Sequence, residues 1–409
     1  MNLLTNNEIN LIAKICGYRE VVDWSIQDFS NKVMGYLGDH LKLSVQVKEE
    51  GIRSEVRLFI KCMPRDPWKS EYLKELTFFK KEYVMLSQLF KKFENQSGLK
   101  KWRPNLIYIR DDLFVFEDVT ETGYSMPSHV ETLTYEQLTA TVQALARFHA
   151  QSYIYEEKKS EELNRPFRIW EDYGDYLKEP QKGEEWRIAG RNAVIDFLKL
   201  HSKYKKELNF IKDLEEILPL VFNKANSLIT PSSTYRNVVI HRDIWSNNIF
   251  LKKIGAVNYH ALIVDYQTVL YTSPMVDLST LLYLNTTKDF RNNYTTDFIN
   301  VYYNTLAEEL KSVEVDINNI LGKPSLIDLY EESILFAVTQ ASIIVPIIAL
   351  FSETREKVFA DPESSKRFST DFRSDYFIEA AVESKNYRDR VSELFDEIVE
   401  RYVYPKRYN

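Results

Sequence analysis

Cysteine is nearly missing from this chain: among 409 residues only Cys16 and Cys62 occur. That excludes a disulfide-stapled scaffold and fits a reducing, cytoplasmic compartment. A basic excess is missing too. Lys and Arg number 53 against 60 Asp and Glu, a net charge of −7, whereas a dedicated nucleic-acid binder needs strong positive charge. No basic segment followed by an apolar run opens the sequence, so no secretory signal is expected. The Asn-x-Ser/Thr triplets at Asn95, Asn285 and Asn293 then read as chance matches. Long uninterrupted apolar runs are also lacking. The longest, Ile334 to Phe351, is broken by Thr339, Gln340, Ser342 and Pro346, and reads as a buried helix, not a membrane span. Internal repeats and low-complexity tracts do not occur.

What is present is ordinary globular material, 44% hydrophobic and 28% charged. At roughly 150 residues per domain, the length allows two or three domains or one large two-lobed fold. Residues 41–48 alternate apolar and polar, the pattern of a half-buried strand. Val56 to Cys62 has strand composition, and Met63-Pro64 ends it. Glu71 to Phe93 has helical spacing. Leu106 to Ile109 and Leu113 to Glu117 form a hairpin about Arg110-Asp111-Asp112. The first part therefore reads strand, strand, helix, strand, strand. Thr134-Tyr135-Glu136-Gln137 is a capping box that starts a helix. Charged helical segments follow to about residue 230. Short apolar runs lie at Val238–Ile240, Ile249–Leu251 and Ala261–Val264, with helix after about 290. The expected class is α+β and bilobal, with a small β-rich lobe at 1–118 and a large α-helical lobe at 119–409. A cleft between lobes is a usual ligand site.

The chemistry concentrates in Val239-Ile240-His241-Arg242-Asp243-Ile244-Trp245-Ser246-Asn247-Asn248. This matches H-R-D-x-x-x-x-N, the catalytic loop of kinases. One short loop brings a carboxylate, Asp243, to the attacking hydroxyl and an amide, Asn248, to a phosphate-bound metal. Seventeen residues later Leu262-Ile263-Val264 leads into Asp265-Tyr266-Gln267. An Asp after an apolar run is the expected second ligand for Mg²⁺, which prefers oxygen.

Such a phosphotransferase also needs a strand lysine for the phosphates of ATP and a helix glutamate to orient it. Lys61 lies in the apolar strand Phe59-Ile60-Lys61-Cys62, and a buried lysine requires a partner. Glu82 is the first choice, with Glu75 and Glu71 as rivals. Gly35 and Gly38, in Gly35-Tyr36-Leu37-Gly38-Asp39, would let backbone N–H groups approach phosphates, although a plain turn fits equally. After the hairpin, Glu117, Asp118 and Val119 occupy the place of a hinge for the adenine. The carboxylates there either contact ribose or cap the next turn. His149 reads as a core histidine.

Together with Phe79, Leu145-Ala146-Arg147-Phe148-His149 and Pro274-Met275-Val276-Asp277-Leu278, these motifs resemble the ecdysteroid kinase-like family, in family order from about residue 30 to 285. That family is related to choline and aminoglycoside kinases. The resemblance implies a protein-kinase-like fold and ATP- and Mg²⁺-dependent phosphorylation of a small-molecule hydroxyl, ecdysteroids being the named substrate class. Arg242 stands where the family often has Gly, and Tyr266 where it often has Phe. A protein kinase is disfavoured independently: only eight residues separate Asp265 from Pro274, too few for a peptide-binding activation segment. A catalytically inactive ligand-binding protein of the same fold, or a choline- or aminoglycoside-type kinase, is the alternative. The acceptor and any protein partner are not legible.

Overall fold

Alternation along two long strands decides where the first core lies. The structure, a computed structural model, describes residues 3–29, 38–128, 131–180 and 182–405. Strand β2 spans Asp39–Glu49 and β3 spans Ile52–Cys62. Leu41, Leu43, Val45 and Val47 of β2 are buried, with Leu58, Ile60 and Cys62 of β3, against Leu4, Ile9 and Ile12. The period of two turns Phe59 and Lys61 to the opposite face. The sheet is antiparallel in the order β1-β2-β3-β5-β4, where β1 is Glu20–Asp28, β4 is Leu106–Arg110 and β5 is Leu113–Glu117. Strand β3 is therefore internal.

Two early elements were not expected. Helix α1, Asn6–Ile15, begins at a capping box of Thr5 and Glu8 and covers one sheet face. Strand β1 is mostly exposed at the sheet edge, although Val22-Asp23-Trp24-Ser25-Ile26-Gln27 alternates apolar and polar as a strand would. The helix expected over 71–93 is also broken. Helix α2 is Pro67–Leu76 and α3 is Phe78–Ser87. Thr77 between them is left-handed, with φ of 58°, which ends one helix and starts the next at a new angle. Helix α3 packs on the sheet through Phe79 and Phe114, stacked at 4.4 Å.

The remainder is mostly helical. Helix α4, Tyr135–Leu163, starts at the expected Thr134–Gln137 box. Helices α5 (Ile169–Tyr173), α6 (Glu184–His201) and α7 (Phe210–Ser227) precede the short strands β6 (Val238–Ile240), β7 (Ile249–Ile254), β8 (Asn258–Ile263) and β9 (Leu270–Thr272). Strand β6 pairs with β9 and β7 with β8. Helices α8 (Pro274–Asn285), α9 (Lys288–Lys311) and α10 (Lys323–Ile348) follow, then α11 (Ser352–Ala360), α12 (Pro362–Thr370), α13 (Ser374–Glu383) and α14 (Lys385–Ile398). Helix α10 is long and apolar enough to cross a membrane, but 78% of its apolar window is buried. Its hydrophobicity serves the core. The architecture is α+β: a five-stranded antiparallel sheet in the N-terminal part, followed by a mostly helical remainder.

Candidate functional site

Strand β3 delivers Lys61 to a cavity of about 490 Å³, into which Glu82, Asp243, Asn248 and Asp265 also open. Lys61 is 5% exposed. Its Nζ donates to Glu82 Oε2 at 2.5 Å and to Asp265 Oδ1 at 2.8 Å. Burial alone would lower the lysine's pKa. The two carboxylates, Asp265 and Glu82, outweigh burial and hold it raised. Burial likewise works to raise Asp265, yet the Lys61 charge keeps that carboxyl below its usual value. Glu82 makes a further contact, in which its Oε1 accepts from the Tyr266 N–H at 3.1 Å. Helix α3 is thereby tied to both the lysine and the segment after Asp265. The rivals are elsewhere: Glu75 pairs with Lys182 at 2.9 Å, and Glu71 is exposed.

The catalytic-loop sequence is held from behind by Asp277 of α8. Asp277 Oδ2 accepts from the His241 N–H at 2.5 Å, and Oδ1 from the Arg242 N–H at 2.6 Å. His149 Nε2 reaches Asp277 Oδ2 at 3.1 Å, and its Nδ1 meets Tyr302 at 2.9 Å. The histidine is fully buried, as expected of a core residue. It is also part of the scaffold beneath the loop. His241 Nε2 bonds the Val264 carbonyl at 2.8 Å, and Thr268 donates to the His241 carbonyl at 3.0 Å. With this support two residues stand in the left-handed region, Arg242 at φ 72° and Asp265 at φ 71°. Such backbone is costly for a non-glycine residue and persists where its surroundings over-determine it. It also explains why glycine suits position 242.

Asn248 turns its amide toward Asp243, donating to the carbonyl at 2.7 Å and to Oδ2 at 3.3 Å, which leaves the Asn248 side-chain oxygen unclaimed by that contact. Strand register brings Asn248 next to Asp265: the Val264 N–H donates to the Asn248 carbonyl at 3.0 Å. Asp243 has its pKa raised, by burial first and then by the Asp265 charge. A carboxylate and an amide oxygen are hard donors of the kind Mg²⁺ takes. Among the described residues no three His, Cys, Asp or Glu side chains cluster as a ready metal cage. The donor set therefore suits a cation that takes its other oxygens from phosphates and water.

The remaining expected residues divide. Gly38 lies beside Lys61, where an added Cβ would sit 3.6 Å from Lys61 Cε; Gly35 lies outside the described residues. Glu117, Asp118 and Val119 line the cavity. Glu117 pairs with Lys101 and accepts from the Asn105 N–H. Asp118 accepts from the Thr120 N–H at 3.0 Å, so it caps the turn that follows. Sequence reasoning assigned no role to His40, which pairs across the strands with Lys61. Burial, reinforced by Lys61, pushes its pKa down to about 4. It also missed a cluster of Glu179, Arg187 and Arg242 in the cavity wall, which only the tertiary fold assembles. The wall farther from the sheet is aromatic and aliphatic, with Trp68, Tyr72, Trp186, Ile344, Ile347 and Phe359.

The sequence pattern of the ecdysteroid kinase-like family matches residues 32–315. Among solved structures, the choline kinase LicA from Streptococcus pneumoniae is similar over 96% of this chain and 100% of its own, at 13% identity and a TM-score of 0.42. An ethanolamine kinase from Plasmodium vivax is similar over 89% of this chain and 86% of its own, at 12% identity and a TM-score of 0.40. No curated protein matches the chain.

Proposed function

Since the chain belongs to the ecdysteroid kinase-like family, we propose that it transfers the γ-phosphoryl group of ATP to a hydroxyl of a small molecule, an ecdysteroid or related steroid or xenobiotic alcohol. The hydroxyl oxygen forms a bond to the γ-phosphorus while the bond from that phosphorus to the β,γ-bridging oxygen breaks. ADP leaves, and the hydroxyl proton passes to Asp243. Lys61, oriented by Glu82, binds phosphate oxygens. Gly38 and, by sequence, Gly35 lie near them, and Glu117 and Val119 border the adenine. Asn248 and Asp265 would hold Mg²⁺, which when bound supplies neutralisation of phosphate charge. Since phosphoryl transfer needs little covalent help, positioning and charge carry the rate. We also place the division between the lobes at residue 118.

The observation that carries this reading is the ion pair of a buried strand lysine with a helix glutamate, in one cavity with Asp243, Asn248 and Asp265. The test is ADP release by the purified chain with ATP, Mg²⁺ and a panel of steroid, choline-like and aminoglycoside alcohols. Phosphorylated product from the steroid or xenobiotic arm supports the proposal. ADP release with none of them, and no phosphorylated product by mass spectrometry, refutes it.

A further inference from the structure

We infer that the acceptor carries an anionic oxyacid group as well as its reacting hydroxyl, and that Arg187 and Arg242 bind that group beside Asp243. The inference rests on the phosphotransferase reading and narrows its substrate class to apolar alcohols bearing a carboxylate or a sulfate ester.

The charge count at the wall carries it. Glu179 stands between the two guanidinium groups: Arg187 Nη2 is 2.6 Å from Oε2, and Arg242 Nη2 is 3.1 Å from Oε1. One carboxylate thus serves two cations. Lys81, 3% exposed, bonds the carbonyls of Lys178 and Val269, each at 3.1 Å, and pairs with no carboxylate among the described residues. Arg242 and Arg187 sit near enough to repel one another. A further carboxylate that acts on Arg187, Glu184, is exposed at the cavity edge.

The second observation is unspent hydrogen-bonding capacity. Arg242 is 7% exposed, and its Nε is buried without a partner among the described residues. Glu179 Oε1 is within ion-pair distance of Arg242 but is likewise without an aligned hydrogen bond. A guanidinium offers five N–H donors in a planar fork suited to two oxygens of one anion. Leaving such a fork desolvated with one poorly aligned partner is costly, and an incoming oxyanion would relieve both deficits.

The position fits. Arg242 precedes Asp243 in the chain, and both line the same cavity with Arg187 and Glu179. The cations are on the catalytic loop and α6, whereas Lys61 comes from β3. Trp186, adjacent to Arg187, and Tyr72 of α2 provide apolar surface beside them. A cationic acceptor of the choline or aminoglycoside kind would meet like charge there.

The test uses the full chain with matched probes: a hydroxysteroid carboxylate against its methyl ester, and a hydroxysteroid sulfate against the unsulfated diol. ADP release with ATP and Mg²⁺ gives kcat/KM, and calorimetry without ATP gives binding. We expect the anionic member of at least one pair to be favoured about tenfold or more, as charge-assisted hydrogen bonds allow. The pair that responds separates carboxylate from sulfate. Arg187→Gln should bring the ratio close to one. Glu179→Gln, which frees both guanidinium groups, should raise it, so a general loss of folding cannot mimic the two opposite shifts. Equal use of anionic and neutral members by the wild type overturns the inference while leaving the kinase reading intact. So does an Arg187→Gln effect confined to the KM for ATP. Preferential binding of the anion with no phosphoryl transfer to any probe would sink the kinase reading and retain the anion site.

Discussion

Asp243 is held in a state that suits chemistry better than it suits the fold. Burial and the neighbouring Asp265 charge raise its pKa, so the folded chain binds its proton more tightly than the unfolded chain does. A group raised in this way adds stability only below its unfolded pKa, and the contribution is lost as pH climbs through the folded value. At neutral pH the ionised carboxylate is therefore a burden on the fold. Asp243→Asn should lower kcat by about 10²–10⁴-fold and at the same time raise Tm at pH 7. A Tm that falls, or kcat near wild type, would contradict the assignment. Asp277 is the converse case. It is fully buried and satisfies two backbone N–H groups. Asp277→Ala should cost roughly 2–4 kcal/mol in urea unfolding, since each orphaned buried donor costs about 1–3 kcal/mol.

Helix α3 is the element on which the site depends. Glu82 faces the cavity, while the preceding Lys81 reaches across to the Lys178 and Val269 carbonyls. Burial pushes the Lys81 pKa from its usual 10.5 down to about 7, Arg242 adding to the effect and Glu179 opposing it. Between those two values the unfolded chain carries a proton there that the folded chain has released. Stability should therefore rise with pH across that window. In urea titrations at pH 7 and pH 9, Lys81→Met should show less of this rise than the wild type. Identical pH responses would mean that Lys81 titrates normally. How much of α3 was legible follows from the same residues. A lysine in an apolar strand demands a partner, and a glutamate in the helical stretch that follows supplies one, so Lys61 and Glu82 could be read together. The break at Thr77 could not, because neither glycine nor proline marks it. Strand β1 was legible in the alternation of Val22-Asp23-Trp24-Ser25-Ile26-Gln27 but went unassigned. Arg187, Glu179 and Asp277 were present in the sequence as ordinary charges. Their partners are far along the chain, and nothing local distinguishes them from solvated ones.

At the scale of the molecule, one cavity gathers its lining from the sheet and from the helical part of the chain. Lys61 comes from the sheet, Asp243 and Asn248 from the catalytic loop, and Asp265 from the end of β8. A nucleotide bound to the folded chain alone stabilises it by about 2.7 kcal/mol at a concentration 100 times Kd. Tm should therefore rise with ATP and Mg²⁺ in thermal denaturation. Lys61→Ala should lose most of that rise, measured against its own Tm without nucleotide. An undiminished rise in Lys61→Ala would remove the lysine from the phosphate site.

The stretch after Asp265 has one more consequence. Every residue from Tyr266 to Thr286 is buried. The Thr268 hydroxyl donates to the His241 carbonyl, the Thr272 hydroxyl donates to the Thr230 carbonyl, and the Ser273 oxygen accepts from the Met275 N–H. No hydroxyl on this stretch is offered to a modifying enzyme, and no slack exists for the stretch to swing between two positions. Signalling by covalent modification has no foothold here. Any covalent modification that acts on the site has to act from outside this stretch.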